Sequence, residues 1–191
     1  IAVALLSRLS DLAPVCFVNG NHEMCVERHQ PERYQKFMDD LKNGGVQVLH
    51  NETAWFWIDG EKVAVTGYEL PWEYYRRFSR RHPSVVGMER SIGKRKQDAY
   101  QILLTHNPVF FEEYAAWGAD FTFAGHLHGG FIRLPYFGGV ISPQFQLFPK
   151  YDHGLYQMDT SSMVVGAGMG NHSGLFRINN PTEIVTVRIK R

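Results

Sequence analysis

The sequence has few cysteines and no long apolar run, and both absences restrict the class of protein. Its 191 residues include two cysteines, Cys16 and Cys25. Two are too few for a disulfide framework, so a reducing compartment is the default expectation. No apolar run reaches the roughly 20 residues that a transmembrane helix needs. We therefore expect a cytoplasmic protein or one peripheral to a membrane.

A strong net charge is also missing. The formal net charge is +1 at pH 7, which gives no electrostatic footprint for nucleic acid, so no nucleic-acid partner is expected. Two local basic stretches, residues 74–83 and 93–97, are more typical of solvated faces. Aromatic residues lie beside the arginines of the first stretch, and contact with an anionic membrane surface is the alternative interpretation.

The hydrophobic pattern predicts an α/β domain. With 44% hydrophobic and 20% charged residues, the chain can bury a sizeable core as one domain over residues 1–191. Periodicity predicts helices at 1–12, 31–43 and 109–117, and strands at 15–18, 46–49, 54–58, 62–66, 102–104 and 121–124. Asp59-Gly60 is a hairpin signal between two of these strands. Alternation at 155–158, 163–165 and 183–189 predicts strands of a second sheet.

The stretch GHLHGG, residues 125–130, is the first candidate functional motif. If the segment is extended, His126 and His128 point to the same side, because side chains alternate along a strand. The flanking glycines permit a tight turn, and neutral imidazole is the commonest metal ligand. A histidine after a strand is more often an ordinary loop residue, so the pair needs partners elsewhere in the chain.

Two other stretches supply such partners. VNGNHE, residues 18–23, puts Asn21 at the end of one predicted strand, and LLTHNP, residues 103–108, puts His106 at the end of another. Each has a simpler interpretation, because Asn-Gly-Asn suits a turn and His106 suits a helix cap or a supporting role. Three strands ending in polar residues nevertheless favour a ligand site, since ligands bind at the carboxyl ends of strands in open α/β sheets.

The motifs GNHE, THNP and GHLHGG resemble the second half of the calcineurin-like metallophosphoesterases. The ordered motifs of that family are D-x-H, G-D-x-x-D, G-N-H-[DE], a mid-chain His and G-H-x-H. The stretches GHLHGGFIRLPYFG, GLYQM and GAGMGNHSGLFRINNPTEIVTVRI are similar to its YkuE/YaeI-like bacterial branch, which is often tied to the membrane. The resemblance implies an αββα sandwich of two sheets flanked by helices, here without its N-terminal βα units.

The same resemblance implies two divalent metal ions and a bridging hydroxide nucleophile. Asn21, His106 and His126 would hold one metal, and His128 would help to hold the other. Mixed imidazole, amide and carboxylate ligands suit Mn, Fe or Zn.

Two further residues of the GNHE motif have implied roles. His22 would be catalytic, contacting the leaving-group oxygen or the scissile phosphate as a general acid or charge stabiliser. Glu23 would orient the backbone or a histidine N–H. A plain acidic residue at a helix N-terminus is an equal alternative for Glu23.

The chain also departs from the family pattern. It contains no D-x-H and no G-D-x-x-D, the motifs that would supply the bridging aspartate and the remaining ligands. On the family pattern we expect about 60 further residues upstream, two βα units of about 30 each. The metal site of this chain is then incomplete and its own activity absent or impaired. An N-terminal anchor would also lie upstream, and the strand at 15–18 would be a bare edge that recruits a second molecule or rearranges.

The loop GAGMGNHSGLFR, residues 166–177, is a second candidate region. Its spacing fails the dinucleotide fingerprint G-x-G-x-x-G. A glycine-rich loop near the metals would let His172 or Arg177 meet the non-scissile part of an anionic substrate. An ordinary surface loop is an equal alternative. Four histidines without motif partners are interpreted as surface or structural: His29, His50, His82 and His153.

Two function classes follow. The first is a metal-dependent phosphoesterase acting on phosphomonoester, phosphodiester or pyrophosphate bonds. The second is a metal-free protein-interaction scaffold on the same fold. The retained motif residues favour the enzyme, because a scaffold has no physical need for them. A lipid-linked or cell-envelope phosphoester is the favoured substrate class, on the branch resemblance and the aromatic-basic stretch, with small phosphoesters as the alternative.

Overall fold

A computed structural model describes residues 2–76, 81–130, 132–134, 138–140, 147–170 and 177–189. The helices are α1 (Ala2–Ser10), α2 (Asn21–His29), α3 (Pro31–Asn43), α4 (Val85–Ile92) and α5 (Phe111–Trp117), with short 3₁₀ helices at Trp72–Tyr75 and Pro108–Phe110. The strands are β1 (Cys16–Phe17), β2 (Gln47–Val48), β3 (Thr53–Ile58), β4 (Glu61–Tyr68), β5 (Tyr100–Thr105), β6 (Phe121–Ala124), β7 (Arg133–Leu134), β8 (Gly138–Gly139), β9 (Gly154–Met158) and β10 (Ser161–Val165). None of the helices in these ranges has the length and apolarity of a bilayer span.

The central feature is a six-stranded sheet in the order β3-β4-β5-β6-β10-β9. Its four inner strands, β4, β5, β6 and β10, are parallel to one another, and β3 and β9 pair antiparallel with them at the two edges. Strands β1 and β2 form a separate parallel pair, and β7 and β8 form an antiparallel pair. The carboxyl ends of the four inner strands therefore lie at one edge of the sheet.

Hydrophobic clusters attach helices to the strands. On one face of the central sheet, Leu103 packs with Met88 of α4 and with Tyr114 and Trp117 of α5. A second cluster joins α3, through Tyr34, Met38 and Leu41, to β2. A third joins Leu49, after β2, to Val63 and Val65 of β4, and Cys16 of β1 packs against it. The fold is thus a mixed α/β arrangement with a six-stranded sheet flanked by helices, which agrees with the predicted fold class.

Most predicted elements are present, and two details differ. The predicted hairpin turn is found at Asp59-Gly60, both with positive φ (51° and 83°). Strands 155–158 and 163–165 were assigned to a second sheet, but β10 pairs with β6 and places β9 and β10 in the central one. Burial explains the difference, since Met163 and Val165 are fully buried as inner strands of a parallel sheet require. Residues 183–189 form no strand, which corrects that prediction.

The segment at 15–18 forms only the two-residue strand β1. It pairs with β2 on one side, and within the described ranges no other strand pairs with it.

Candidate active site

The candidate residues follow strands whose carboxyl ends meet. His106 follows β5, His126 and His128 follow β6, and Asn21 begins α2 shortly after β1. Backbone hydrogen bonds join these loops beyond the strands, because the N–H of Gly125 donates to the carbonyl of His106 (3.1 Å) and that of Gly166 donates to Ala124 (3.1 Å). The loops after β5, β6 and β10 are therefore held side by side.

Asn21 and His106 are in direct contact. Asn21 Oδ1 lies 3.0 Å from His106 Nε2. The turn before α2 allows this approach, since a Cβ on Gly20 would lie 2.9 Å from three ring atoms of His106. Glu23 fixes the same turn, because its carboxylate accepts the N–H of Gly20 at 2.9 Å. Glu23 is thus both an acidic residue in the first turn of α2 and a residue that orients the Gly20 backbone.

The imidazole of His106 is held in its neutral form. Its pKa is lowered from 6.5 to about 3, mainly by burial and in addition by charge repulsion from the nearby His128 and His22. A neutral imidazole has a lone pair to offer a metal ion. The same interactions show that His22 and His128 lie within electrostatic reach of His106.

His126 and His128 approach His106 in an unexpected backbone conformation. The ring of buried His126 lies 5.0 Å from that of His106, centroid to centroid. Both histidines have positive φ, 53° and 51°, so residues 125–130 form a tight turn and the prediction of an extended i, i+2 arrangement is wrong. Such left-handed backbone at a residue other than glycine costs on the order of 1 kcal/mol or more. Strain of this kind persists only where surrounding contacts hold the turn.

The remaining predicted residues are placed as follows. His22 is exposed in the first turn of α2. The guanidinium of Arg177 donates to the carbonyls of Ala167 (2.8 Å) and Gly170, and it thereby braces the loop after β10. His172 lies outside the described residues. The loop is close to His128, whose Nδ1 is 3.3 Å from the carbonyl oxygen of Ala167.

Sequence reasoning missed a polar network behind Asn21. Asn19 is 1% exposed, and its amide donates to the hydroxyl of Tyr34 at 2.7 Å. Its backbone N–H donates to Glu69 (3.1 Å), which also contacts His50 Nδ1 at 2.9 Å. The network ties the ends of β1, β2 and β4 together. His50 had no motif partner, so only its position directly after β2 could have indicated this role.

The sequence pattern also did not reveal Tyr75. This buried tyrosine packs against the rings of His126 (5.1 Å) and His106 (6.1 Å), centroid to centroid. Its neighbour Trp72 is 41% exposed. The 3₁₀ helix Trp72–Tyr75 therefore covers the histidines with Tyr75 and exposes Trp72.

The donor set suits a metal ion in type. Imidazole nitrogens and an amide oxygen meet, and His106 is neutral, as a ligand must be. The described residues contain no group of three or more His, Cys, Asp or Glu arranged to hold a metal ion. Asn21 and the histidines could therefore supply only part of a metal site, with imidazole and amide ligands and no carboxylate.

Comparison with protein families agrees with this geometry. The family model for calcineurin-like phosphoesterases matches residues 2–130, a range that contains Asn21, His22, His106, His126 and His128. The chain belongs to the calcineurin-like phosphoesterase family. The resemblance drawn from the motifs is therefore confirmed. Comparison with solved structures gave no significant match.

Three bacterial proteins are among the relatives that this chain matches. It is 29% identical to the metallophosphoesterase YkuE of Bacillus subtilis over 102 residues, 53% of this chain and 35% of the relative. It is 24% identical to the phosphodiesterase YaeI of Escherichia coli over 185 residues, 97% of this chain and 62% of the relative. It is 25% identical to the UDP-2,3-diacylglucosamine pyrophosphatase LpxG of Chlamydia trachomatis over 158 residues, which are 78% of this chain and 43% of the relative. The chain thus spans between 35 and 62% of the length of these relatives.

The pKa of His106 leads to a prediction about stability. Because this pKa falls from 6.5 to about 3 on folding, the unfolded chain binds a proton between these pH values that the folded chain does not. The residue's contribution to the free energy of unfolding is therefore complete above pH 6.5 and is lost as the pH falls toward 3, by about 1.4 kcal/mol per pH unit.

Urea unfolding with chelator present measures this effect. Between about pH 6.5 and 5, wild type is expected to lose stability relative to His106→Gln at that slope. Equal pH dependence in the two proteins would contradict the buried, neutral state of His106.

Proposed function

We propose that the protein is a metal-dependent phosphohydrolase with its reaction centre at the carboxyl ends of β5 and β6. The observation that carries the proposal is the contact of Asn21 Oδ1 with His106 Nε2 at 3.0 Å, with the ring of His126 packed on His106. These residues come from three loops of one family match. Asn21 Oδ1 can only accept, so His106 Nε2 carries the proton in this contact. In the other neutral tautomer of His106 both atoms would offer lone pairs, which suits a cation and not an anion.

The proposed site is dinuclear. Asn21, His106 and His126 would hold one divalent ion, and His128 would help to hold the second. Imidazole and amide donors favour Mn, Fe or Zn over calcium. When bound, two such ions neutralise phosphate oxygens and lower the pKa of a bridging water.

His22 is the proposed catalytic residue. In hydrolysis an oxygen from water bonds to phosphorus, the bond from phosphorus to the leaving-group oxygen breaks, and that oxygen takes up a proton. His22 is exposed in the first turn of α2, so it is accessible to the leaving group. The N-terminus of this helix also favours an anion, because its first backbone N–H groups carry partial positive charge.

The proposed substrate is a small or lipid-linked phosphoester or pyrophosphate. Two relatives support this range through their names, one a phosphodiesterase and one a pyrophosphatase of a diacylated sugar nucleotide. Exposed Trp72, in the same 3₁₀ helix as Tyr75, offers an apolar surface to the organic part of such a substrate. Direct substrate contact by His172 or Arg177 remains a prediction.

Two parts of the proposal concern partners. Exposed Trp72 and Arg76 beside it would suit peripheral contact with an anionic membrane surface. The short strand β1, paired on one side by β2, would suit a contact with a second molecule at its other side.

Metal dependence is the test of the enzyme against the scaffold. The complete gene product is expected to hydrolyse an aryl phosphodiester or phosphomonoester only with Mn²⁺ or a similar ion, to lose activity in chelator, and to recover it when the ion is restored. The reason is that the attacking water needs bound metal ions to lower its pKa. Release of nitrophenol measures the reaction.

A matched control separates the site from its surroundings. His29 lies exposed on α2, and its ring contacts Cys25 of the same helix, at 2.8 Å from the carbonyl oxygen and 3.6 Å from the sulfur. His29→Ala is expected to retain activity. Full activity in chelator would contradict metal dependence, and protein that neither binds the ion nor hydrolyses either ester would favour the metal-free scaffold.

A further inference from the structure

A segment near the end of the described chain contacts both loops that surround His128. Asn180 is 4% exposed, and its side-chain amide donates to two backbone carbonyls of the GHLHGG turn, those of His128 and Gly130 (2.8 Å for Gly130). The approach is close, since a Cβ on Gly129 would lie 2.8 Å from Asn180 Oδ1. One buried side chain thus bridges both ends of the tripeptide that begins at His128.

The turn that Asn180 holds is the strained one. Positive φ values occur at His126, His128, Gly129 and Gly130. Its internal backbone bonds are short-range, from Leu127 N–H to the Gly125 carbonyl (2.6 Å) and from Gly130 N–H to the Leu127 carbonyl (2.7 Å). A turn of this kind needs external contacts to remain in one conformation, and the two bonds from Asn180 are such contacts.

Glu183 acts on the neighbouring loop. Its carboxylate accepts the N–H of Ala167 at 2.7 Å, and its own N–H donates to the carbonyl of Gly168 at 3.2 Å. The carboxylate also pairs with His153 Nε2 at 2.8 Å. Desolvation raises the pKa of Glu183, but the hydrogen bond from the Ala167 N–H and the neighbouring His153 lower it by more. The carboxylate is therefore ionised and acts as an acceptor.

The backbone of Ala167 then connects Glu183 to His128. The Ala167 N–H is bound by Glu183, and its carbonyl oxygen lies 3.3 Å from His128 Nδ1. A carbonyl can only accept, so this contact favours the proton on Nδ1 and places the lone pair of the ring on Nε2. Histidines that bind metal commonly use their second nitrogen in this way.

We propose that Asn180 and Glu183 are positioning residues that together fix the backbone and the tautomer of His128 for metal binding. Asn180 fixes the main chain of His128. Glu183 holds the N–H of Ala167, the residue whose carbonyl the His128 ring faces and Arg177 also binds. Neither residue is a ligand. The inference rests on the proposed function in one respect, the role of His128 in binding metal.

The first measurement needs no metal. Amide hydrogen exchange of the metal-free complete gene product is expected to be faster at residues 127–130 in Asn180→Ala and in Asn180→Asp, which has the same shape but cannot donate to the two carbonyls. The control is Asn179→Gly, because Asn179 is exposed, and glycine accepts its φ of 53°. Wild-type exchange in both Asn180 variants would overturn the proposal, whether or not the protein is a phosphoesterase.

The second measurement is Mn²⁺ affinity by calorimetry. Asn180→Ala and Glu183→Ala are expected to bind Mn²⁺ about 10- to 100-fold more weakly, the usual effect of removing a residue that orients a ligand. Glu183→Gln keeps the acceptor for the Ala167 N–H and is expected to restore most of the affinity, while Thr182→Ala, at an exposed neighbour, is expected to match wild type. If Gln fails to restore binding, the ion pair with His153 is the important contact and the tautomer argument is wrong. If wild type binds no Mn²⁺, the proposed function fails, and the exchange measurement still decides the role of Asn180.

Discussion

In the complete gene product, His22→Ala is expected to lower kcat by about 10²- to 10⁴-fold while the amount of bound metal stays at the wild-type level. His22 lies exposed in the first turn of α2, where it is accessible to a leaving group. It is outside the ligand set, so its removal takes away a proton donor or a charge in the transition state without changing metal binding.

Comparison with His126→Ala tests whether His22 is a catalytic residue and not a metal ligand. His126 is buried and packs on His106 and Tyr75, and its loss is expected to remove metal and activity together. Metal content by elemental analysis and kcat by steady-state kinetics are measured on the same preparations. If His22→Ala and His126→Ala lose metal equally, the distinction between catalytic residue and ligand is wrong.

Gly20→Ala is expected to reduce kcat/KM by about 10²-fold, the effect of displacing a reacting group by roughly 1 Å. The backbone of Gly20 is unstrained, with φ of −102°, so the effect is purely steric. The added methyl would lie 2.9 Å from three ring atoms of His106, and either that ring or the start of α2 must move. The contact between Asn21 and His106 is then broken.

Overpacking should also reduce stability, by about 1 to 3 kcal/mol. Urea unfolding separates this loss from the kinetic one. Gly170→Ala is the matched control, because a Cβ there has no atom of the described ranges within 4 Å, and it is expected to behave as wild type. Wild-type kcat/KM in Gly20→Ala would show that His106 tolerates displacement and does not have the proposed role.

Local patterns were sufficient to predict most of the elements. Helix α3 has the predicted limits, Pro31–Asn43, because its apolar spacing, its proline at the start and the glycines after it all agree. Which sheet a strand joins was harder to predict from the sequence. The alternation in 155–158 and 163–165 indicates strands but does not specify a neighbour, and β10 packs beside β6 through contacts distant in sequence.

The candidate site shows the same limit. Asn21 and His106 could be placed near each other because each follows a strand, and they are in contact. The left-handed backbone of His126 and His128 could not be inferred, since glycines on either side permit many turns. The roles of Asn180 and Glu183 could not be inferred either, since they depend on returns of the chain to loops about 50 and 16 residues earlier.

The polar network of Asn19, His50 and Glu69 connects two sheets that share no backbone hydrogen bond pairing within the described residues. Asn21 extends from one of these sheets and His106 from the other, so their separation depends on how the sheets are held relative to each other. Leu49 and Val65 pack in the contact between the sheets. A substitution that leaves a cavity at this contact would let the two sheets shift relative to each other. It would thereby change the separation of Asn21 and His106 without replacing either of them.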